Sequence, residues 1–161
     1  MVNPITVSIN DLHSYAMAAL TSIGMNKGDA QTIADKLVLT DSWGTFTHGN
    51  KLLGDYIARL EAGGTNPLGK PKIASEGPAW AIVDGDNAAG QIGCDFAMKK
   101  AIQLAKSAGI AYVGVRNTSH FGAAGVYPAM AAEANMIGLA MANDCLLYTS
   151  DAADEGLGVD L

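Results

Sequence analysis

One segment constrains this 161-residue chain more than any other: Ala111-Tyr-Val-Gly-Val-Arg-Asn-Thr-Ser-His-Phe-Gly122. The β-rich apolar run Ala111 to Val115 gives way abruptly to polar residues, then to Gly122 and Gly125. Such a run reads as a buried strand, and in an α/β layout the carboxyl end of a central strand is where ligands bind. His120 falls where a proton-transfer group would be placed, and the small residues after it leave room for a ligand. A second histidine, in Thr47-His48-Gly49, follows one expected helix and begins another, whereas His13 reads as a face residue of the first helix.

The rest of the chain agrees with an α/β class. Asn10 is the expected N-cap of a helix from Asp11 to about Ser22, stopped by Gly24. Asn26 caps a second helix whose apolar positions Ala30, Ile33, Ala34, Leu37 and Val38 repeat at helical spacing, ending at Trp43-Gly44. A third helix is expected from Gly49 to Ala62, with Leu52, Leu53, Tyr56, Ile57 and Leu60 as its stripe. After a Pro- and Gly-rich stretch come a short strand around Ile73 and a better one from Trp80 to Val83. Next follow a long helix from Gln91 to Gly109, the strand 111–115, a helix over 123–134 and a strand over Ile137–Ala142. Strands alternating with helices predict a sheet built partly from crossovers. The expected parts are a helical segment 1–64 and a partial α/β unit 65–144.

Composition narrows the function classes. With 49% hydrophobic and 16% charged residues the chain suits a globular α/β protein and not a disordered one. No apolar run reaches the roughly 18 residues of a membrane span, and no signal-peptide layout opens the chain, so a cytoplasmic setting is the expectation. The net charge is −6 without a basic run, so a nucleic-acid footprint is absent. Two cysteines, Cys94 and Cys145, suggest neither a disulfide framework nor a metal knuckle. Residues 145–161 change character: Cys145-Leu-Leu-Tyr-Thr-Ser-Asp-Ala-Ala-Asp-Glu155 has no period and resembles an in-frame translation of a sequencing-library adaptor. On that reading the tail is an artefact and the native chain continues past Asn143.

His120 can take or give a proton at neutral pH, which suits a hydroxyl losing its proton as the neighbouring carbon loses hydride. A hydrogen-bonded structural histidine is the alternative. The His48 motif is weaker by itself, since a His-Gly pair is often only a helix entry. Tyr56, along the following helix, could join His48 at a pocket or sit in the core. Asp84-Gly-Asp-Asn-Ala-Ala-Gly-Gln91 precedes a helix but lacks the Walker lysine and the GxGxxG spacing, so a tight turn is expected. The rivals are a metal-dependent hydrolase using His48 and His120, which lacks any HxH or HExxH spacing, and a non-catalytic interaction module.

Taken in order, Gly44-x-x-Thr-His-Gly49, Tyr56, Gly63-Gly64, Val83-Asp84-Gly85, Ala89-Gly90-Gln91, Ala105-x-x-x-Gly109, Val113-x-Val115, Ser119-His-Phe-Gly122, Ala131-Ala132, Ile137-Gly138 and Asn143 carry a resemblance. The chain resembles the malate/L-lactate dehydrogenase family of type 2, with its ureidoglycolate, sulfolactate and diketogulonate dehydrogenases, over residues 5–144. The resemblance implies a mixed-sheet, non-Rossmann nicotinamide-binding domain with a helical segment, NAD or NADP as cofactor, a small 2-hydroxy or 2-oxo acid as substrate and a homodimer at full length. It implies His120 as the acid/base residue, Thr47, His48 and Tyr56 as substrate-binding, Asn143 as cofactor-binding, and no metal. Many members carry an Arg four residues after the first histidine. Here that position is Leu52, beside Lys51, and a lysine supplies charge without the planar fork that holds a carboxylate.

Overall fold

A computed structural model describes residues 6–142. Asn143 and the tail 145–161 lie outside the described residues. The chain begins with two helices, α1 (Ile9–Ser22) and α2 (Lys27–Ser42). Ser8, not Asn10, caps α1, its side chain accepting from the Asp11 amide, because the helix starts two residues earlier than its apolar spacing suggests. Asn26 caps α2 as its sequence predicts, accepting from the Asp29 amide. Two short 3₁₀ turns, Phe46–His48 and Asn50–Leu52, precede α3 (Leu53–Glu61). The expected single helix from Gly49 is therefore split into a tight turn and a helix.

Helical spacing explains how these elements pack. Ala16 and Leu20 of α1, Ala30, Ile33, Ala34 and Leu37 of α2, and Leu53 and Leu60 of α3 form one buried cluster. Ala88, Ala89 and Ile92 join that cluster from the α/β part of the chain. Truncating Leu20 or Leu37, each 0 to 1% exposed, would cost about 2–5 kcal/mol by transfer and cavity terms.

The sheet has three strands in the order β1-β2-β3: β1 (Lys72–Gly77), β2 (Trp80–Asp84) and β3 (Tyr112–Arg116). β1 and β2 form an antiparallel hairpin that is irregular between Ile73 and Ser75. β2 and β3 are parallel, Trp80 opposite Tyr112 and Asp84 opposite Arg116, and α4 (Gly90–Ala108) makes the crossover between them. The sheet is thus mixed, and the fold is α/β with a helical N-terminal part. Helix α5 (Val126–Glu133) packs against α4 and α2.

Two sequence expectations need correction. The strand that leads to His120 is at the edge of the described sheet, not its centre, and Tyr112 is 66% exposed. An apolar run signals burial but does not name the neighbour that provides it. Residues 137–142 are not a strand either: among the described residues nothing pairs with them, and Ile137, Leu139 and Met141 are exposed. A strand exists only through hydrogen bonds to a partner, so alternation alone does not make one.

Candidate active site

The strand ends place His120. Asp84 closes β2, and its carboxylate accepts from the Asn117 side chain at 3.0 Å and the Asp86 amide at 3.0 Å, with the Arg116 guanidinium at 3.4 Å. The Asn117 hydrogen bond, then that of the Asp86 amide, holds the Asp84 carboxyl below its usual range. Beyond the strands the two loops stay joined. The Gly85 amide donates to Arg116 O (2.8 Å) and the Asn87 amide to Asn117 O (2.9 Å). The Thr118 hydroxyl donates to Ala88 O (3.1 Å) and the Gly90 amide to Ser119 Oγ (3.2 Å). This pairing carries the loop past β3 onto the first turn of α4. A Cβ on Gly90 would overlap the carbonyls of Ser119 and His120, so glycine permits the approach. The segment 84–87 is accordingly a turn, with Asp86 and Asn87 both left-handed.

The residues after His120 are fixed by a second set of contacts. Phe121 stacks on Tyr127 of α5 at 5.2 Å, and the Tyr127 hydroxyl donates to Phe121 O at 2.5 Å. Tyr127 is 1% exposed and Lys36 of α2 lies over its ring. Lys36 is itself held by Asp95 of α4 at 2.7 Å, and Asp95 also pairs with Lys99. Helices α2, α4 and α5 thereby anchor the loop.

Tyr56 and His48 reach His120 from the helical part. The Tyr56 hydroxyl lies 2.8 Å from His120 Nδ1. Burial pushes the Tyr56 pKa up to about 12, partly offset by the Gln91 side-chain amide, and Asp55 raises it further, so the hydroxyl keeps its proton at neutral pH. The His48 ring centroid is 5.9 Å from that of His120, at a tilt of 35°. The loop bearing His48 is held by Asp41, whose carboxylate accepts from both the backbone and side-chain nitrogens of Asn50 at 2.9 Å.

His48 and His120 face an open cleft of about 440 Å³ whose other walls are Trp43, Thr45, Phe121, Gly122, Ala123, Ala124, Gly125 and Ala142. That volume is in the range of small-molecule sites. Thr47 is exposed and its hydroxyl meets His48 Nδ1 at 3.0 Å, whereas Thr45 lines the cleft. Tyr56 stands behind His120, bordering a cavity of about 20 Å³ with Arg59, Thr65 and Ser119. Lys51 and Leu52 are not among the cleft walls. Among the described residues no group of three or more His, Cys, Asp or Glu side chains could hold a metal ion. Sequence reasoning gave no role to Gln91, Asp41 or Tyr127. Only Gln91 left a signal, a polar residue inside the small-residue run Ala88-Ala89-Gly90-Gln91-Ile92-Gly93.

A histidine bridged to a half-buried tyrosine beside an open cleft is equipped to exchange protons with a bound molecule. The comparisons with known proteins agree with that class. The malate/L-lactate dehydrogenase family profile matches residues 7–153. A malate dehydrogenase of Pyrococcus abyssi is 40% identical over 141 residues, covering 88% of this chain and 39% of that protein. An Escherichia coli O157:H7 protein named ureidoglycolate dehydrogenase (NAD(+)) is 35% identical over 84% of this chain and 39% of its own length. The solved malate dehydrogenase of Pyrococcus horikoshii superposes with a TM-score of 0.79 at 40% identity, covering 81% of this chain and 37% of that one. The chain belongs to the malate/L-lactate dehydrogenase family. It spans about 39% of the length of the curated relatives it matches.

Proposed function

We propose that this chain supplies the acid/base half of an NAD- or NADP-dependent 2-hydroxyacid dehydrogenase. The observation that carries the reading is the Tyr56–His120 hydrogen bond at a cleft faced by His48. The substrate is a small 2-hydroxy or 2-oxo acid, as the names of the relatives suggest, and the printed name of the Escherichia coli protein supports a nicotinamide cofactor.

The cleft suits such a group. Gly122, Ala123, Ala124 and Gly125 form a wall of small residues that would let a flat ring lie close to His120, with Asn143 assigned to the cofactor side by resemblance. When bound, the nicotinamide supplies the acceptor or donor of hydride. The protein's own residues handle the proton. In oxidation, neutral His120 takes the hydroxyl proton of the acid as the C2–H electron pair departs; in reduction, the imidazolium returns it. His48 orients the substrate beside His120, Thr47 acts on it through the His48 ring that its hydroxyl meets, and Tyr56 holds the His120 ring. Holding both reactants against His120 lowers the entropic part of the barrier. A homodimer and a cytoplasmic setting belong to the same proposal.

The test is turnover by the full-length protein containing this chain, with NAD and NADP and a panel of 2-hydroxy acids including malate, lactate, sulfolactate and ureidoglycolate. Oxidation of at least one acid, lowered by about 10²-fold or more in His120→Ala, is expected. Activity toward none of them with either cofactor would overturn the reading.

A further inference from the structure

Gln91 is the second residue of α4, directly behind the site, and is 1% exposed. Both of its amide atoms, Oε1 and Nε2, are buried and find no partner at full hydrogen-bond geometry among the described residues. Folded chains rarely leave both ends of a buried carboxamide unpaired. The amide is aimed at the site. A Cβ built on Gly122 would lie 3.5 Å from Gln91 Nε2 and 3.8 Å from the Tyr56 hydroxyl oxygen. The same proximity lets the amide act on the ionisation of Tyr56.

We propose that Gln91 is a positioning residue: its amide decides in which direction the Tyr56–His120 hydrogen bond runs, and so which tautomer His120 adopts. A neutral imidazole carries one N–H and one lone pair. With Gln91 Nε2 toward Tyr56, the amide donates to the phenol oxygen and the hydroxyl donates to His120 Nδ1. The Gly122 amide, 3.4 Å from Nδ1, favours the same state. The neutral ring then bears its proton on Nε2 and cannot accept there. With the amide turned half a revolution, Oε1 accepts the Tyr56 proton, the phenol oxygen accepts from Nδ1–H, and the lone pair is on Nε2. The exchange balances: one proton leaves Nε2 to solvent in the cleft and solvent returns one at Nδ1, while Tyr56 keeps its own, so the ring stays neutral. The imidazolium of the reduction direction also needs Tyr56 as acceptor, so Oε1 toward Tyr56 is the working orientation in both directions.

This inference rests on the dehydrogenase reading for its chemical consequence, but its primary test needs no turnover. In the full-length protein labelled with ¹⁵N, the His120 ring shifts report the tautomer, assigned by their loss in His120→Ala. The wild-type ring should show the Nδ1–H form, which requires Oε1 in place of Nε2 toward Tyr56, and Gln91→Met, which keeps the length and removes both amide atoms, should move His120 to the Nε2–H form. Gln91→Glu offers Tyr56 an acceptor in either protonation state and should restore the Nδ1–H form. In turnover, Gln91→Met should lower kcat for acid oxidation by about 10- to 100-fold with KM changed less than about twofold, and Gln91→Glu should recover most of it. In a Tyr56→Phe background the Gln91→Met change should have no further effect on the ring shifts.

Ring shifts in Gln91→Met identical to wild type would overturn the proposal. So would equal loss of kcat in Gln91→Met and Gln91→Glu, which marks a merely structural role. If Gln91→Met fails to fold, the Gln91→Glu shifts and the Tyr56→Phe comparison decide in its place. A wild-type protein inactive toward every acid would sink the dehydrogenase reading, while the ring shifts would still decide this one.

Discussion

The Tyr56 hydroxyl and His120 Nδ1 are 2.8 Å apart although 64 residues separate them in the chain. The bond joins α3 to the loop that follows β3, so the orientation of the imidazole is set by an element distant in the chain. Removing His120 and removing its tether should therefore have different signatures. In the full-length enzyme His120→Ala should lower turnover by about 10²- to 10⁴-fold, the usual worth of a positioned acid/base. Tyr56→Phe should leave the general acid/base in place and cost less. Steady-state kinetics with the best hydroxy acid checks both, and a His120→Ala turnover within about threefold of wild type would remove that residue from the mechanism.

Alkaline pH should destabilise the fold earlier than exposed tyrosines would. Burial pushes Cys94 from 9.0 up to about 11 and Tyr56 from 10.0 up to about 12, and it raises Tyr127 as well. Each group is neutral when protonated, and the folded chain holds those protons more tightly than the unfolded chain. The resulting stability is complete below about pH 9 and is lost as pH rises through about 11 and 12. Melting temperature followed from about pH 8 upward should fall, with the first part of the fall reduced in Cys94→Ala. A flat profile in the wild type would mean that water reaches these groups in the folded state.

Gly49 and Gly90 should each lose stability when given a side chain. A Cβ on Gly49 would overlap the Asp41 carboxylate that holds the His48 loop, and one on Gly90 would meet the His120 carbonyl. Each Gly→Ala change should cost about 1–3 kcal/mol, as overpacking does. Gly90→Ala has backbone in its way, whereas Asp41 is a side chain that can turn aside, so Gly90→Ala should be the more severe. Denaturant melts of the two variants test the order.

Lys36→Met should weaken both the fold and the site. Lys36 and Asp95 are each 12% exposed in their side chains, and Lys36 also covers the Tyr127 ring that carries Phe121. Breaking a buried pair costs about 3–5 kcal/mol, and Lys99 remains to hold Asp95, so about 2–4 kcal/mol is expected. A loss under about 0.5 kcal/mol would show that the pair and its ring contact add nothing to stability.

Local signals in the sequence were read with success where they act locally. The Asn26 cap, the stop at Gly109 and the turn 84–87 each depend on a few neighbouring residues and are found as expected. The placing of His120 and Tyr56 near one another came from motif order and family resemblance, since no short-range pattern encodes a contact across 64 residues. The centrality of the strand before His120 and the strand over 137–142 were misread because both depend on a neighbour that the local pattern does not identify. Gln91 passed without a role because a glutamine in the first turn of a helix is ordinary until its surroundings show it to be sealed from water.

The hydrogen bond from the Gly90 amide to Ser119 Oγ has a dynamic consequence. Ala89, at the N-cap position of α4, makes no side-chain cap bond, so the hydroxyl next to His120 takes over part of that work. The helix start and the histidine loop then cannot open separately. Fraying of the first turn frees the loop, and release of the loop uncaps the helix. In hydrogen exchange the amides of Gly90 and Gln91 should lose protection together with those of 118–122, as a single opening unit. A molecule that settles in the cleft against His120 would slow exchange at the start of α4 without touching it.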